Sequence, residues 1–100
     1  MPPVLDLKAS NGANFGALGA TIGHELTHGY DDEGRQYDQD GNLSDWWSPA
    51  VKAKFQEKAQ CYIDQANNYE ELPGVFVNGK ATLGENLADQ GGTRLAYLGY

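Results

Sequence analysis

The stretch Gly23-His24-Glu25-Leu26-Thr27-His28-Gly29 contains the only two histidines of this 100-residue chain. They stand four positions apart, just over one turn of an α-helix, so both imidazoles leave the same helix face with Cβ atoms about 5–6 Å apart. At that separation, one ring nitrogen of each histidine can reach a single Zn²⁺ ion at about 2.0–2.1 Å. The stretch therefore predicts a helix that carries two metal ligands.

Glu25 completes the H-E-x-x-H arrangement, in which the glutamate next to the first histidine projects to one side and can hold a water at the metal. For this composition, chance places a glutamate and two histidines in that pattern roughly once in a thousand chains. The alternative interpretation is a pair of ordinary helix histidines. A zinc site requires a surrounding helix and a third ligand elsewhere in the chain.

The surrounding helix is indicated by apolar residues at three- and four-residue steps from Asn14 onward. At about 100° per residue, the two histidines lie nearly opposite that apolar stripe, on a side rich in alanine and glycine. A helix that is apolar on one side and small on the other is expected to be buried all round, and the acidic run after Gly29 is expected to end it. The apolar stripe consists of Phe15, Leu18, Ile22, Leu26 and Tyr30.

Composition indicates one small globular domain over residues 1–100, because 40% of the residues are hydrophobic and 21% are charged. The net charge of −7, without a Lys/Arg cluster, argues against nucleic acid and anionic membranes as partners. No apolar run approaches the roughly 20 residues of a transmembrane segment. The start Met1-Pro2-Pro3-Val4 lacks the basic and apolar regions of a signal peptide, so none is expected.

The rest of the chain predicts two further helices and one short strand, after an irregular lead-in over residues 1–12 and a loop over 36–47. Ser48-Pro49 is a good N-cap and first-turn pair for the second helix. Cys61 on that helix is expected to be a small buried hydrophobe. Val75-Phe76-Val77 reads as a strand entering a turn at Asn78-Gly79, and the third helix is expected from near Leu83 to the chain end.

A carboxylate is the expected third ligand because both histidines are already used and Cys61 belongs to an amphipathic helix. Glu85 is the best candidate, since Asp89 shares its helix face and one carboxylate can bind metal while the other orients a histidine. The alternative is a capping box over Thr82-Leu83-Gly84-Glu85, in which Glu85 serves only the helix start. Spacing alone leaves both interpretations open.

The segment from His24 to Tyr97 resembles the zinc-site region of the neprilysin-type (M13) metallopeptidases. The resemblance implies that His24, His28 and Glu85 bind zinc, that Glu25 is the catalytic carboxylate and that Asp89 supports His24. Pro2-Pro3 also fits the family, although Val4-Leu5 replaces its usual aromatic pair. The motifs are His24-Glu25-Leu26-Thr27-His28-Gly29-Tyr30-Asp31-Asp32, Gly34-Arg35, Asp40-Gly41, Trp46-Trp47, Gln60-Cys61 and Gly84-Glu85-Asn86-Leu87-Ala88-Asp89.

The implied fold is mainly α, with three helices and a short β element, as the zinc-site portion of a thermolysin-like (gluzincin) α+β catalytic domain. The implied function is zinc-dependent hydrolysis of internal bonds in short peptides by a metal-activated water, in the cell envelope or outside the cell. Family members are several times longer, and their substrate-aligning strand, transition-state histidine and substrate-binding arginine lie outside this segment. Arg94 is too close to Glu85 to be that arginine.

The chain is therefore expected to be a fragment whose partners are peptide substrates and the remainder of the parent peptidase. The missing sheet is expected to leave Ile22 and Leu26 uncovered, which favours self-association of the fragment. Two alternatives remain: a zinc-binding or interaction module without catalysis, and an inactive fragment that lacks the rest of the active site.

Overall fold

The computed structural model describes residues 4–100, in which three long helices are joined by a loop and a two-stranded hairpin. The prediction of a mainly helical chain with a minimal β element is confirmed. Residues 1–3, with the Pro2-Pro3 pair, lie outside the described part. The helices are α1 (residues 11–30), α2 (Pro49–Ala66) and α3 (Leu83–Gly99), and the strands are β1 (Glu70–Leu72) and β2 (Val75–Phe76).

Helix α1 begins at Asn11, three residues before the predicted start, because Ser10 caps it by accepting a hydrogen bond from the Ala13 amide at 3.2 Å. The helix changes its winding along its length, and its end at Tyr30 agrees with the predicted stop after Gly29. Its consecutive parts are α-helical Asn11–Asn14, π-helical Phe15–Gly19, α-helical Ala20–Thr27 and 3-10 helical His28–Tyr30.

Helices α1 and α3 pack directly against each other, with α1 turning its small side toward α3. A Cβ atom on Gly23 would lie 2.8 Å from the Cα of Gly92, far closer than real Cβ contacts. Both glycines are buried. The close approach follows from the absence of side chains at the crossing, and it brings the histidine face of α1 next to α3.

The apolar stripe of α1 is exposed, so the expectation of a helix buried all round is wrong for this chain. Ile22 is 53% and Leu26 is 65% exposed, whereas Phe15 at the start of the stripe lies against Tyr100, with ring centroids 5.7 Å apart. The expectation that these two residues are left uncovered in the segment agrees with the structure.

Helix α2 starts as predicted, with Ser48 as N-cap and Pro49 in the first turn. Ala59 and Ala66 are buried on its apolar face. The expectation that Cys61 is buried is wrong, since the residue is exposed. Two positions beyond Ala59, Cys61 lies about 200° around the helix from it and so points away from the covered face.

The hairpin extends the short predicted strand by a partner strand that the sequence analysis missed. Glu70 pairs with Phe76 and Leu72 with Val75 in antiparallel register. Gly74 supplies the turn with a φ of +78°, a conformation that favours glycine. The partner strand was missed because its segment, Glu70-Glu71-Leu72, is short and carries two charges.

The chain forms a flat layer of 47 × 43 × 21 Å with a Cα radius of gyration of 16.0 Å. A compact 100-residue domain has a radius near 13 Å. The accessible surface is 7550 Å², against about 5,600 Å² for a folded monomer of this mass. The buried hydrophobic residues are few and mostly small: Ala59, Ala66, Leu83, Ala88 and Ala96. Within residues 4–100, no helix has the length and apolar character needed to cross a bilayer.

Candidate metal centre

The two histidines meet at their Nε2 atoms on the C-terminal half of α1. His24 belongs to the last α-helical turn and His28 begins the 3-10 turn that follows it. Their Nε2 atoms are 2.9 Å apart, and the rings stand edge to face with an interplanar angle of 86°. The four-residue spacing therefore brings one ring nitrogen of each histidine close to the other, as the sequence predicts.

Glu85, in the first turn of α3, brings its carboxylate to the same point. One oxygen lies 3.2 Å from the Nε2 of His24 and the other lies 3.4 Å from the Nε2 of His28. The capping-box geometry is absent, because the side chain of Thr82 accepts no hydrogen bond from a backbone amide of the first turn. Instead, the Thr82 hydroxyl donates to the Asn78 carbonyl and accepts from the side-chain amide of Asn86.

Two further carboxylates contact the outer nitrogens of the two rings. Asp89 of α3 lies 2.8 Å from the Nδ1 of His24, and Asp31 lies 2.7 Å from the Nδ1 of His28. Each carboxylate accepts a hydrogen bond from an Nδ1–H group, so the Nε2 atom of each neutral ring carries a lone pair that points at Glu85 and at the other ring.

Asp31 is a site residue that the sequence reasoning missed, and it is 94% buried, with 6% of its surface exposed. Its other oxygen accepts hydrogen bonds from the backbone amides of Glu33 and Gly34, at 3.0 and 2.7 Å. The available signal was its position three residues after His28, on the same side of a helical turn.

The electrostatics of the His28–Asp31 pair favour its charged form. The hydrogen bond to Asp31 raises the pKa of His28 above its usual value; burial opposes this, and the charges of Glu85, Asp31 and Glu25 add to it. Burial raises the pKa of Asp31, but the hydrogen bonds from His28, Gly34 and Glu33 outweigh burial, so the net pKa is lowered.

Glu25 stands beside the cluster and is exposed. Within residues 4–100 its carboxylate forms neither a hydrogen bond nor an ion pair. Together with His24, Asp89 and Thr93 it lines a cleft of about 400 Å³. A carboxylate that is close to the histidines and uncommitted to any protein group is available for proton transfer.

The donor set fits a zinc ion. Four-coordinate zinc with bonds of about 2.0–2.1 Å separates its ligand atoms by about 3.3 Å. The distances among the two Nε2 atoms and the Glu85 oxygens are 2.9, 3.2 and 3.4 Å. Two imidazoles and one carboxylate also form the ligand set of many catalytic zinc sites, which keep a fourth position open. A shared cation would stabilise two inward lone pairs that face each other at 2.9 Å.

The sequence matches the model of peptidase family M13 over residues 1–100. The chain belongs to this family. Among M13-related proteins, an endothelin-converting enzyme homolog of Locusta migratoria is 48% identical over 98% of this chain. Neprilysin-2 of Drosophila melanogaster is 52% identical over 87% of it. The chain spans only 13% and 11% of the length of these two relatives.

Two solved structures share the fold of this M13 chain. A zinc metalloprotease of Mycobacterium tuberculosis, Zmp1 in complex with an inhibitor, matches the whole chain with a TM-score of 0.92 and 42% identity. PepO of Lactobacillus rhamnosis matches 97% of the chain with a TM-score of 0.89 and 41% identity. The chain covers 16% and 15% of them. The cofactor of this family is Zn²⁺, and family membership supports zinc metallopeptidase activity in general.

Proposed function

We propose that this chain is the zinc-site segment of a larger M13 endopeptidase that hydrolyses internal bonds of short peptides. In this proposal His24, His28 and Glu85 are the zinc ligands. The observation that carries it is the convergence of the two Nε2 atoms and the Glu85 carboxylate within 3.4 Å of one another.

Each side chain of the site has a separate task in the proposed reaction. Zinc bound by these residues would lower the pKa of a water molecule to about 7 and would polarise the scissile carbonyl. Glu25 takes a proton from the attacking water and passes it to the leaving amine, since its carboxylate is not needed for binding. Asp89 and Asp31 hold the rings of His24 and His28 in the tautomer that leaves both Nε2 atoms free.

The proposal places the remaining parts of the active site outside these 100 residues. The chain covers between 11% and 16% of the length of the relatives and solved structures described above. Its flat shape and small buried residues support a segment that packs against further structure. Groups that stabilise a developing oxyanion are often worth a few kcal/mol of barrier, so the isolated chain is expected to be a poor enzyme even with zinc bound.

Zinc stoichiometry and cleavage of a short internally quenched peptide, measured on the same preparation of the chain, test the proposal. One equivalent of zinc with slow cleavage supports the endopeptidase assignment. One equivalent without any cleavage supports a zinc-binding module or an incomplete active site. Absence of zinc binding contradicts the proposed ligand set.

A further inference from the structure

Helices α1 and α3 approach each other closely where Gly92 faces the backbone of Ala20 and His24. A Cβ atom on Gly92 would lie 2.5 Å from the backbone nitrogen of His24 and 3.0 Å from its Cα, and would also strike the carbonyl oxygen of Ala20. These obstacles are backbone atoms, which cannot rotate away as a flexible side chain can. Any side chain at position 92 therefore forces the two helices apart.

The separation of the two helices decides whether Asp89 can reach His24. Asp89 precedes Gly92 by three residues and so stands on the same side of α3. Its side chain is short, and its carboxylate lies 2.8 Å from the Nδ1 of His24. An ordinary Cβ contact is about 3.4–4 Å. Restoring that distance at Gly92 displaces α3 by about 1 Å, enough to break a 2.8 Å hydrogen bond.

We propose that Gly92 is a positioning residue of the metal centre. The lack of a side chain at Gly92 holds α3 against the backbone of His24 at the distance where Asp89 fixes the ring of His24 with Nε2 free for metal. The inference rests on the proposed function, because it concerns how His24 is prepared as a ligand.

His28 provides an internal control. Its partner Asp31 belongs to the segment that directly follows α1, and their 2.7 Å contact does not cross between helices. Moving α3 away therefore changes the surroundings of the His24 Nδ1 atom and leaves those of the His28 Nδ1 atom intact. Since the chain contains only these two histidines, their ring signals can be resolved without interference.

The test compares three alanine variants of the full chain, all at helical glycines. Gly16 has no neighbour within 4 Å of a built Cβ, Gly23 meets the Gly92 Cα at 2.8 Å, and Gly92 meets the His24 nitrogen at 2.5 Å. Glycine is unfavourable inside helices, so all three substitutions raise helix propensity. A change in the His24 tautomer or in zinc affinity therefore cannot be explained by lower helix propensity. Circular dichroism checks that each variant remains helical.

The first readout is the imidazole ¹⁵N NMR spectrum of the metal-free chain at a pH where both rings are neutral. In the wild type and in Gly16→Ala, both histidines are expected in the Nδ1–H tautomer. In Gly92→Ala, His24 is expected to shift toward a mixture of tautomers while His28 does not. In Gly23→Ala, the shift of His24 is expected to be smaller than in Gly92→Ala but larger than in the wild type. This readout needs no zinc.

The second readout is zinc affinity by competition with a chelator. Loss of a hydrogen bond to a ligand histidine costs 10- to 100-fold in metal affinity, so we expect at least a tenfold loss in Gly92→Ala and none in Gly16→Ala. Asp89→Glu adds one methylene group, which offsets a displacement of about 1 Å. Added to Gly92→Ala, it is expected to recover zinc affinity and the His24 tautomer, although Asp89→Glu alone lowers affinity.

The outcomes separate this inference from the proposed function. A selective His24 tautomer change in Gly92→Ala supports the positioning role even if the wild type fails to bind zinc, which would contradict the ligand assignment alone. If Gly92→Ala loses its helical structure, Gly23→Ala decides by the same measurements. Unchanged His24 tautomer and zinc affinity in the folded variants, or a wild type whose His24 lacks the Nδ1–H form, would overturn the inference.

Discussion

The Nε2 atoms of His24 and His28 lie 2.9 Å apart although the Nδ1 atoms of both rings already hydrogen-bond to carboxylates. Each neutral ring has one proton, and the contacts to Asp89 and Asp31 place that proton on Nδ1. Two unprotonated nitrogens therefore face each other at a distance that a positive charge between them would stabilise. A shared metal ion supplies that charge without protonating either ring.

Replacing either outer carboxylate with its amide is predicted to weaken zinc binding by about 10- to 100-fold, because the amide keeps an acceptor oxygen but loses the charge that makes the ring more basic. The variants are Asp89→Asn and Asp31→Asn, measured by chelator competition. Asp45→Asn is the control, since Asp45 pairs only with Lys52 outside the site. Equal zinc affinity in all three variants would rule out the orienting role.

Truncation of Asp31 is predicted to cost stability in the metal-free chain as well, by about 1–3 kcal/mol in Asp31→Ala. The substitution leaves three donors without their acceptor: the backbone amides of Glu33 and Gly34 and the Nδ1–H of His28. Asp89→Ala, at an exposed position, is predicted to cost less. Urea unfolding of both variants without zinc measures the difference, and a larger loss in Asp89→Ala would contradict it.

The His28–Asp31 pair predicts a pH window of extra stability in the metal-free chain. The raised pKa of His28 gives stabilisation that is complete below the unfolded value of 6.5 and is lost as the pH rises through the folded value. The lowered pKa of Asp31 gives stabilisation that is present above the unfolded value of 3.8 and is lost as the pH falls through the folded value. The pair therefore stabilises most between pH 3.8 and 6.5.

Urea unfolding across this pH range, for the wild type and Asp31→Asn, checks the window. The difference in unfolding free energy between the two proteins should be largest inside it and should shrink on both sides. A difference that is independent of pH would show that the ion pair contributes nothing.

Self-association of the isolated chain is predicted from the exposed side of α1. Ile22 and Leu26 are 53% and 65% exposed and lie one helical turn apart, and exposed apolar patches tend to be covered by association. Sedimentation at increasing concentration should show oligomers for the wild type and a monomer for the double variant Ile22→Glu, Leu26→Glu. Gln56→Glu on α2 controls for added charge, and a clean wild-type monomer at high concentration would contradict the prediction.

Local signals in the sequence were sufficient to predict the three helices and the histidine geometry. The apolar period of α1, the Ser48-Pro49 start of α2 and the four-residue histidine spacing all depend on neighbours within a turn or two. The sequence could not decide whether Glu85 is a metal ligand or a helix cap, because its position fits both roles. The structure argues against the cap because the Thr82 hydroxyl bonds to the Asn78 carbonyl and the Asn86 side chain instead of capping the helix.

The features that were missed depend either on an irregular turn or on packing between distant elements. Asp31 acquires its contacts only when the chain turns at Glu33 and Gly34 so that its carboxylate faces back toward His28. The exposed state of Cys61 depends on which side of α2 other elements cover. The helix-burial expectation failed for the same reason, since an apolar stripe shows what must be covered but not whether the covering residues belong to this chain.

Glu25→Gln is predicted to retain zinc and to lose turnover, because the amide cannot accept the proton of the attacking water. General-base removal costs about 10²–10⁴-fold in rate, measured as peptide cleavage by the complete protein that carries this chain. Glu33→Gln is the control, since Glu33 contributes its backbone amide to the site and not its carboxylate. Normal cleavage by Glu25→Gln would remove the proposed role of Glu25.

The assignment of Glu85 as the third ligand is the central claim, and zinc stoichiometry of Glu85→Ala tests it most directly. Glu57→Ala removes an exposed glutamate from α2 and serves as the matched control. We predict one tightly bound zinc in the wild type and in Glu57→Ala, and a severe loss in Glu85→Ala. A Glu85→Ala variant that holds one zinc with wild-type affinity, and loses only the roughly 1 kcal/mol expected of a helix cap, would contradict the account.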